Sequence, residues 1–224
     1  MLAPLEDACT VVLLRDGSAG LETLLLERPH FSRAFAGAWV FPGGKVDPAD
    51  RTAADGTGLD DLAAAQRAGL RELFEETGQR LEPGELVFLS QWTPLQDIPR
   101  RFRTWHMLAA ATTGEVVLNP AEHVGLLWIT PAQALARHAR GGLTLIPPTW
   151  VTLHHLAAMD STAQALARAR AATPFSYQTR LLGDRGLIWR GDEAYPDPAG
   201  AAGNGARHRL LTATLPWVFE STGF

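Results

Sequence analysis

The chain has 224 residues, 46% of them hydrophobic, and 20 basic against 24 acidic residues leave a formal charge of −4. That length and apolar content suffice for one well-packed main domain, and the absence of long runs of like charge excludes a nucleic-acid-binding arm or a polybasic membrane patch. Cys9 is the single cysteine, residues 1 to 7 carry neither a charged leader region nor a hydrophobic signal core, and no apolar run approaches the roughly 20 residues of a bilayer span, so a cytoplasmic protein is expected.

In chain order, residues 8 to 14 form a β-branched apolar run, the segment 16 to 20 supplies a turn, and Leu21 to Leu26 is a second run, together a hairpin. Trp39-Val40-Phe41 predicts a third short strand, stopped by Pro42, with Gly43-Gly44 as a tight loop. Asp60 or Asp61 is placed to N-cap a helix running through Thr77 and closed by Gly78. Glu85 to Trp92, Thr104 to Ala111 and Val124 to Ile129 read as further strands of a mixed sheet. Thr130-Pro131 and Pro147-Pro148 start helices, the second region giving one or two helices as far as Ala171. The tail predicts strands at Leu187 to Trp189 and Arg207 to Thr214, with a surface loop over 191 to 206. The class is α+β, with a mixed sheet between helices. The expected division is a core of residues 1–146 and a helical and irregular extension, 147–224, packed on the same domain.

The run Arg71-Glu72-Leu73-Phe74-Glu75-Glu76-Thr77-Gly78 carries the chemistry. On a helix Glu72, Glu75 and Glu76 stand at i, i+3 and i+4, which gives a wet acidic face, while Leu70, Leu73 and Thr77 turn to a dry one. Like charges on an exposed helix cost only about 0.2–0.5 kcal/mol per pair, so this run alone also suits a solvated face. In a cleft, two such charges about 6 Å apart repel by roughly 3 kcal/mol at an effective dielectric near 20, and a bound cation relieves that cost. Mg2+ and Mn2+ favour oxygen donors, and the lone cysteine and scattered histidines make no zinc pattern.

The glycine pair and the acidic helix together resemble the Nudix box: glycine, five residues, an acid, seven residues, then Arg-Glu-apolar-x-Glu-Glu-x-Gly-apolar. Gly44 starts it and Asp50 stands at the acid position, usually glutamate. Twenty residues, Arg51 to Leu70, replace the usual seven, an insertion of thirteen, and Gln79 replaces the final apolar residue. The resemblance implies the Nudix fold and Mg2+- or Mn2+-dependent hydrolysis of a nucleoside diphosphate linked to another moiety. It further implies Glu72, Glu75, Glu76 and the Gly43 carbonyl as metal ligands and Arg71 as a group that orients a box glutamate. Glu122 matches a further acid that binds metal or activates water in many members, and it equally suits a loop residue near a strand start. The expanded box, the Phe41-Pro42-Gly43-Gly44 entry, Pro99-Arg100-Arg101-Phe102, Pro147-Pro148-Thr149-Trp150 and the long extension resemble the coenzyme A diphosphatase branch. That branch yields 3',5'-ADP and (acyl-)4'-phosphopantetheine.

Arg28, Arg33, Arg100, Arg101 and Arg103 are candidate phosphate contacts, against a solvated reading for each. Trp39, Trp92 and Trp105 are expected to fill core, and His106, His123, His154 and His155 to be structural or surface groups. The expected partner is a small molecule, with neither nucleic acid nor membrane; the oligomeric state is open, a homodimer included. The alternatives to coenzyme A are ADP-ribose, a dinucleoside polyphosphate or an oxidised nucleoside triphosphate. A ligand sensor that binds without cutting is the non-enzymatic alternative, disfavoured by the intact acids.

Overall fold

The computed structural model describes residues 3–32, 35–197 and 205–222, and the fold is α+β, as expected. Strand β1 (Leu5–Gly17) and β2 (Gly20–Glu27) form the predicted hairpin, in register from Leu14 opposite Thr23 to Gly17 opposite Gly20. Gly20 has φ 106°, a left-handed backbone that glycine adopts without a Cβ clash. Beyond that register the two strands splay. On its freed edge β2 takes β3 (Ala38–Val40), while β1 takes β4 (Gly43–Lys45), with Thr10 opposite Gly43 and Ala8 opposite Lys45.

The glycine pair is therefore a strand rather than the tight loop expected from its composition. A side chain on Gly43 would meet the Cys9 carbonyl at 2.2 Å, so only glycine lets this strand lie so close to β1. Thirteen-residue β1 also runs parallel to β6 (Arg101–Ala110), which pairs in turn with β5 (Val87–Thr93). Strand β7 (Gly125–Ile129) lies against β2, and β8 (Thr144–Leu145) against β3.

Both faces of this sheet are covered, which is why β1 reads as a continuous apolar run rather than an alternation. Cys9, Val11 and Leu13 face helix α1 (Asp61–Thr77) through Ala65, Ala68 and Leu73. Gly69 allows the close approach, since a Cβ there would fall 2.6 Å from the Cys9 sulfur. The helix starts and stops where the sequence places its caps: Asp60 accepts from the Ala63 amide at 2.8 Å, and Gly78 adopts φ 70°. Val12, Leu14, Leu25 and Leu108 point the other way, toward α2 (Pro131–Ala139), α3 (Pro147–Leu156) and α4 (Thr162–Ala171). Truncating a fully buried leucine such as Leu13 or Leu14 to alanine in such a core costs about 2–5 kcal/mol.

The tail is more regular than expected. Strand β9 (Phe175–Gln178) joins the main sheet parallel to β5, and Tyr177 stacks on Trp92 with centroids 3.8 Å apart. Then β10 (Arg180–Leu181), β11 (Gly186–Ile188), β12 (His208–Leu211) and β13 (Val218–Ser221) form a small antiparallel sheet. Trp189 is fully buried in the core that Trp92 and Val151 share. The described part of the expected surface loop, 191–197 and 205–206, is anchored: buried Asp192 accepts from Arg209 at 2.5 and 2.7 Å and from the His208 amide at 2.9 Å. The rest of that loop, 198–204, lies outside the described residues, as does Arg33. Among the described residues no helix is long and apolar enough to cross a membrane.

Candidate active site

The last two turns of α1 meet β4 and the segment before β7, and the meeting point is Glu76. This carboxylate is 3% exposed, so the acidic face is not uniformly wet as the helical spacing suggests. Its Oε2 accepts from the Gly43 amide at 2.8 Å and its Oε1 lies 2.7 Å from His123 Nε2. Burial of a carboxylate is tolerated where charge-assisted hydrogen bonds meet it. His123, expected to be a structural or surface group, is thus part of the site. It carries no spacing signal, because it lies 47 residues from Glu76 along the chain.

Glu72 is largely buried beside Gly44, where a Cβ would meet its carboxylate at 2.3 Å. Burial raises its pKa, Arg71 opposes that shift, and the charges of Glu76 and Glu75 add to it. Glu75 is the outermost of the three, its side chain 46% exposed. Arg71 gathers these acids: Nη1 lies 2.9 Å from Glu72 Oε1 and 3.2 Å from Glu75 Oε2, while Nη2 donates to Asp50 Oδ2 at 2.9 Å and to the Lys45 carbonyl at 3.0 Å. Asp50 is 2% exposed and also accepts from the Asp47 amide at 2.9 Å, so the shorter aspartate fixes the Arg71 fork.

The inserted residues lie outside this cluster. Part of them forms a turn closed by a bridge between Thr52 and Gly58, and the rest adds the opening turns of α1. Gln79, the other departure, is buried and ties the next loop to the helix end: its Nε2 donates to the Gly114 carbonyl at 2.9 Å, and its Oε1 accepts from the Thr112 amide at 3.1 Å. With the Asn119 amide on the Glu76 carbonyl at 3.0 Å, this places Glu122 and His123 over the acidic helix. Glu122 is exposed and accepts from Asn119 Nδ2 at 3.0 Å. Among the described residues Glu76, Glu122 and His123 have ligating atoms within 4.8 Å of one another.

A cavity of about 400 Å³ opens from Gly43 and Gly44 onto the face of the sheet opposite α1. It is walled by Phe41, Trp92 and Phe102 from the sheet region, by Pro147, Pro148 and Thr149 at the start of α3, and by Thr179 and Leu187 further along the extension. Arg28 and Arg100 line it. Arg101 instead donates to the Leu95 and Ala3 carbonyls, each at 3.3 Å, and Arg103 binds Asp7 and Asp61. Trp92 and Trp105 are buried as expected of core residues, and Trp92 also walls the cavity.

The chain is similar to several known proteins. The chain is 32% identical over 138 residues to an m7GpppN-mRNA hydrolase of Danio rerio, matching 55% of this chain and spanning only 41% of that protein. It is 30% identical over 132 residues to the CTP pyrophosphohydrolase of Escherichia coli K12, matching 58% of this chain and 78% of that one. The crystal structure of a NUDIX hydrolase from Alicyclobacillus acidocaldarius superposes with a TM-score of 0.64 at 25% identity, over 74% of this chain and 96% of its own. The NUDIX domain family itself matches residues 4–147, a span that holds the glycine strand, the acidic helix, Glu122 and His123, and the chain accordingly belongs to the Nudix family.

Proposed function

We propose that the chain is a Mg2+- or Mn2+-dependent hydrolase that cleaves the diphosphate bond of a nucleoside diphosphate linked to another moiety. Coenzyme A or its acyl thioesters, cut to 3',5'-ADP and (acyl-)4'-phosphopantetheine, are the first substrates to try. The observation that carries this reading is the excess of acid at the end of α1. Among the described residues Arg71 is the only arginine or lysine that pairs with Asp47, Asp50, Glu72 and Glu75, and buried Glu76 lies on the same face.

The donor set fits a hard cation. Glu72, Glu75, Glu76 and Glu122 offer carboxylate oxygens and Gly43 a carbonyl, while the Cys9 thiol is buried and held protonated by that burial. These residues would hold the ion, which when bound supplies positive charge against the phosphoryl oxygens. Arg71, fixed by Asp50, orients Glu72 and Glu75; Gly43 and His123 orient Glu76. Glu122, exposed and with a carboxylate oxygen within 4.8 Å of Glu76 and His123, takes a proton from an attacking water in this reading. Arg28 and Arg100 bind phosphate groups at the cavity, with Arg101 a weaker candidate because backbone carbonyls take its guanidinium. Residues 1–146 then act as the hydrolase core, and the extension, 147–224, as the far wall of the substrate cavity.

The name of the Escherichia coli relative favours a second reading, in which a nucleoside triphosphate is the substrate. Incubating the purified protein with a panel of diphosphates and triphosphates, with each metal, and identifying products by mass separates the two. Release of 3',5'-ADP from coenzyme A is the expected result. Cleavage of triphosphates alone supports the second reading, and failure to cut any member of the panel overturns both.

A further inference from the structure

His106 lies in the middle of β6, opposite Thr10 of β1 and Ser90 of β5, and is one of the residues lining the cavity. Its ring meets Phe41 edge-on at 6.3 Å and Trp92 at 6.0 Å. Burial lowers its pKa to about 3, so the imidazole is neutral at any working pH. Nδ1 lies 3.4 Å from the hydroxyl of Thr152, which α3 brings over from the extension. Nε2 has no partner among the described residues, although the lining around it is mostly apolar.

Nε2 is open to the cavity rather than sealed in the core, so a ligand that fills the cavity and supplies the partner is favoured over one that covers Nε2 and leaves it unmet. A neutral ring gives no Coulomb attraction to phosphate, and an acyl chain would leave Nε2 unmet. The chemistry that suits it is a neutral edge carrying both C=O and N–H, which satisfies either tautomer of the ring. We propose that His106 is a specificity-determining residue, hydrogen-bonding through Nε2 to an amide-type edge on the part of the substrate remote from the reacting phosphates. Thr152 is a positioning residue that holds the ring through Nδ1. The proposal rests on the reading of the cavity as the substrate site. Such an edge comes either from a nucleobase or from the amides of a pantetheine chain, and the two are separable because they lie on different halves of coenzyme A.

The test compares wild type with His106→Phe, His106→Gln and Thr152→Val, each checked for an unchanged fold by near-ultraviolet circular dichroism. Steady-state kinetics uses coenzyme A, and calorimetry measures the binding of 3',5'-ADP and of 4'-phosphopantetheine separately. The expected result is a KM rise of about tenfold or more in His106→Phe with kcat unchanged, since a loss near 1.4 kcal/mol is tenfold in affinity. Partial recovery in His106→Gln and a smaller rise in Thr152→Val accompany it. One fragment, the one with the recognised edge, loses affinity in His106→Phe while the other does not. Unchanged affinity for both fragments, equal loss of both, or no binding of either to the wild type overturns the proposal. If wild type binds a fragment but cuts no diphosphate, the hydrolase reading fails while the fragment comparison still decides the role of His106. Should His106→Phe not fold, Thr152→Val and His106→Gln decide: unchanged KM and fragment affinity in both overturns it.

Discussion

The two ends of α1 hold networks of the same residue types with different charge arithmetic. At its start, Arg51 and Arg103 pair with Asp7 and Asp61 through contacts of 2.6–3.1 Å, two cations with two anions. At its end, Arg71 is the only arginine or lysine among the described residues that pairs with the four carboxylates Asp47, Asp50, Glu72 and Glu75, and the nearby Lys45 is spent on Glu6 at 2.8 Å. Burial pushes both Asp7 and Glu72 up: at Asp7 the two arginines outweigh it and hold the carboxyl below the usual range, whereas at Glu72 burial exceeds the opposing Arg71 and, with the charges of Glu76 and Glu75 added, leaves the pKa above its usual range. The balanced network braces the fold; the acid-rich one is left with an excess of negative charge, which a bound cation would relieve. Counting opposite charges, rather than counting acids, tells the two apart.

Substitutions at the two ends test that difference. The largest effect is expected for Glu76→Gln, which replaces the buried carboxyl group held by Gly43 and His123: kcat should fall by about 10²–10³-fold, the scale of losing one preorganised electrostatic group. Asp50→Asn frees the Arg71 fork and should lower metal affinity or activity by about 10–100-fold, read by activity against metal concentration. Asp7→Asn, at the balanced end, should leave kcat unchanged and cost about 1.5–3 kcal/mol of stability in urea unfolding, the range for hydrogen bonds to a charged group. A loss of turnover in Asp7→Asn equal to that in Asp50→Asn would erase the distinction.

The smallest effect is on pH dependence, and its sign differs between the two ends. Asp7 and Asp61 have lowered pKa values, so their stabilisation is present above the usual aspartate value of 3.8 and is lost as pH falls through their folded values. The Glu72 pKa is raised, so without a cation its contribution is full below 4.5 and is lost as pH climbs through the folded value. Thermal melts should therefore show a larger Mg2+-induced rise in Tm near neutral pH than near pH 4.5. Asp7→Asn should flatten only the acid limb. An equal Mg2+ shift at both pH values would contradict the assignment of the cation to this face.

Much of this was legible in the sequence where the cause is local. Asp60 and Gly78 bracket α1 because capping acts over a few residues, and the box spacing puts three glutamates on one face. What stayed hidden depends on distant partners. Glu76 is buried because Gly43 and His123 arrive from 33 and 47 residues away, and neither separation has a periodic signature. Gln79 looked like a departure from the box, and it is the side chain that ties the loop before Glu122 to the helix. In the tail, β11 and β12 answer to the strands expected at Leu187 to Trp189 and Arg207 to Thr214, whereas β9, β10 and β13 have only two to four residues each, too few to show alternation, and β9 is ordered by the packing of Tyr177 on Trp92. The cavity mixes strand, loop and extension residues, so it exists only in the folded chain.

The acid-rich end of α1 is proposed to hold a divalent cation, and calorimetric titration of Mn2+ into wild type, Asp7→Asn and Glu76→Gln tests that proposal. The prediction is saturable binding by wild type and Asp7→Asn, abolished or weakened at least tenfold in folded Glu76→Gln. Indistinguishable isotherms for all three proteins, or no saturable binding to the wild type, would contradict it.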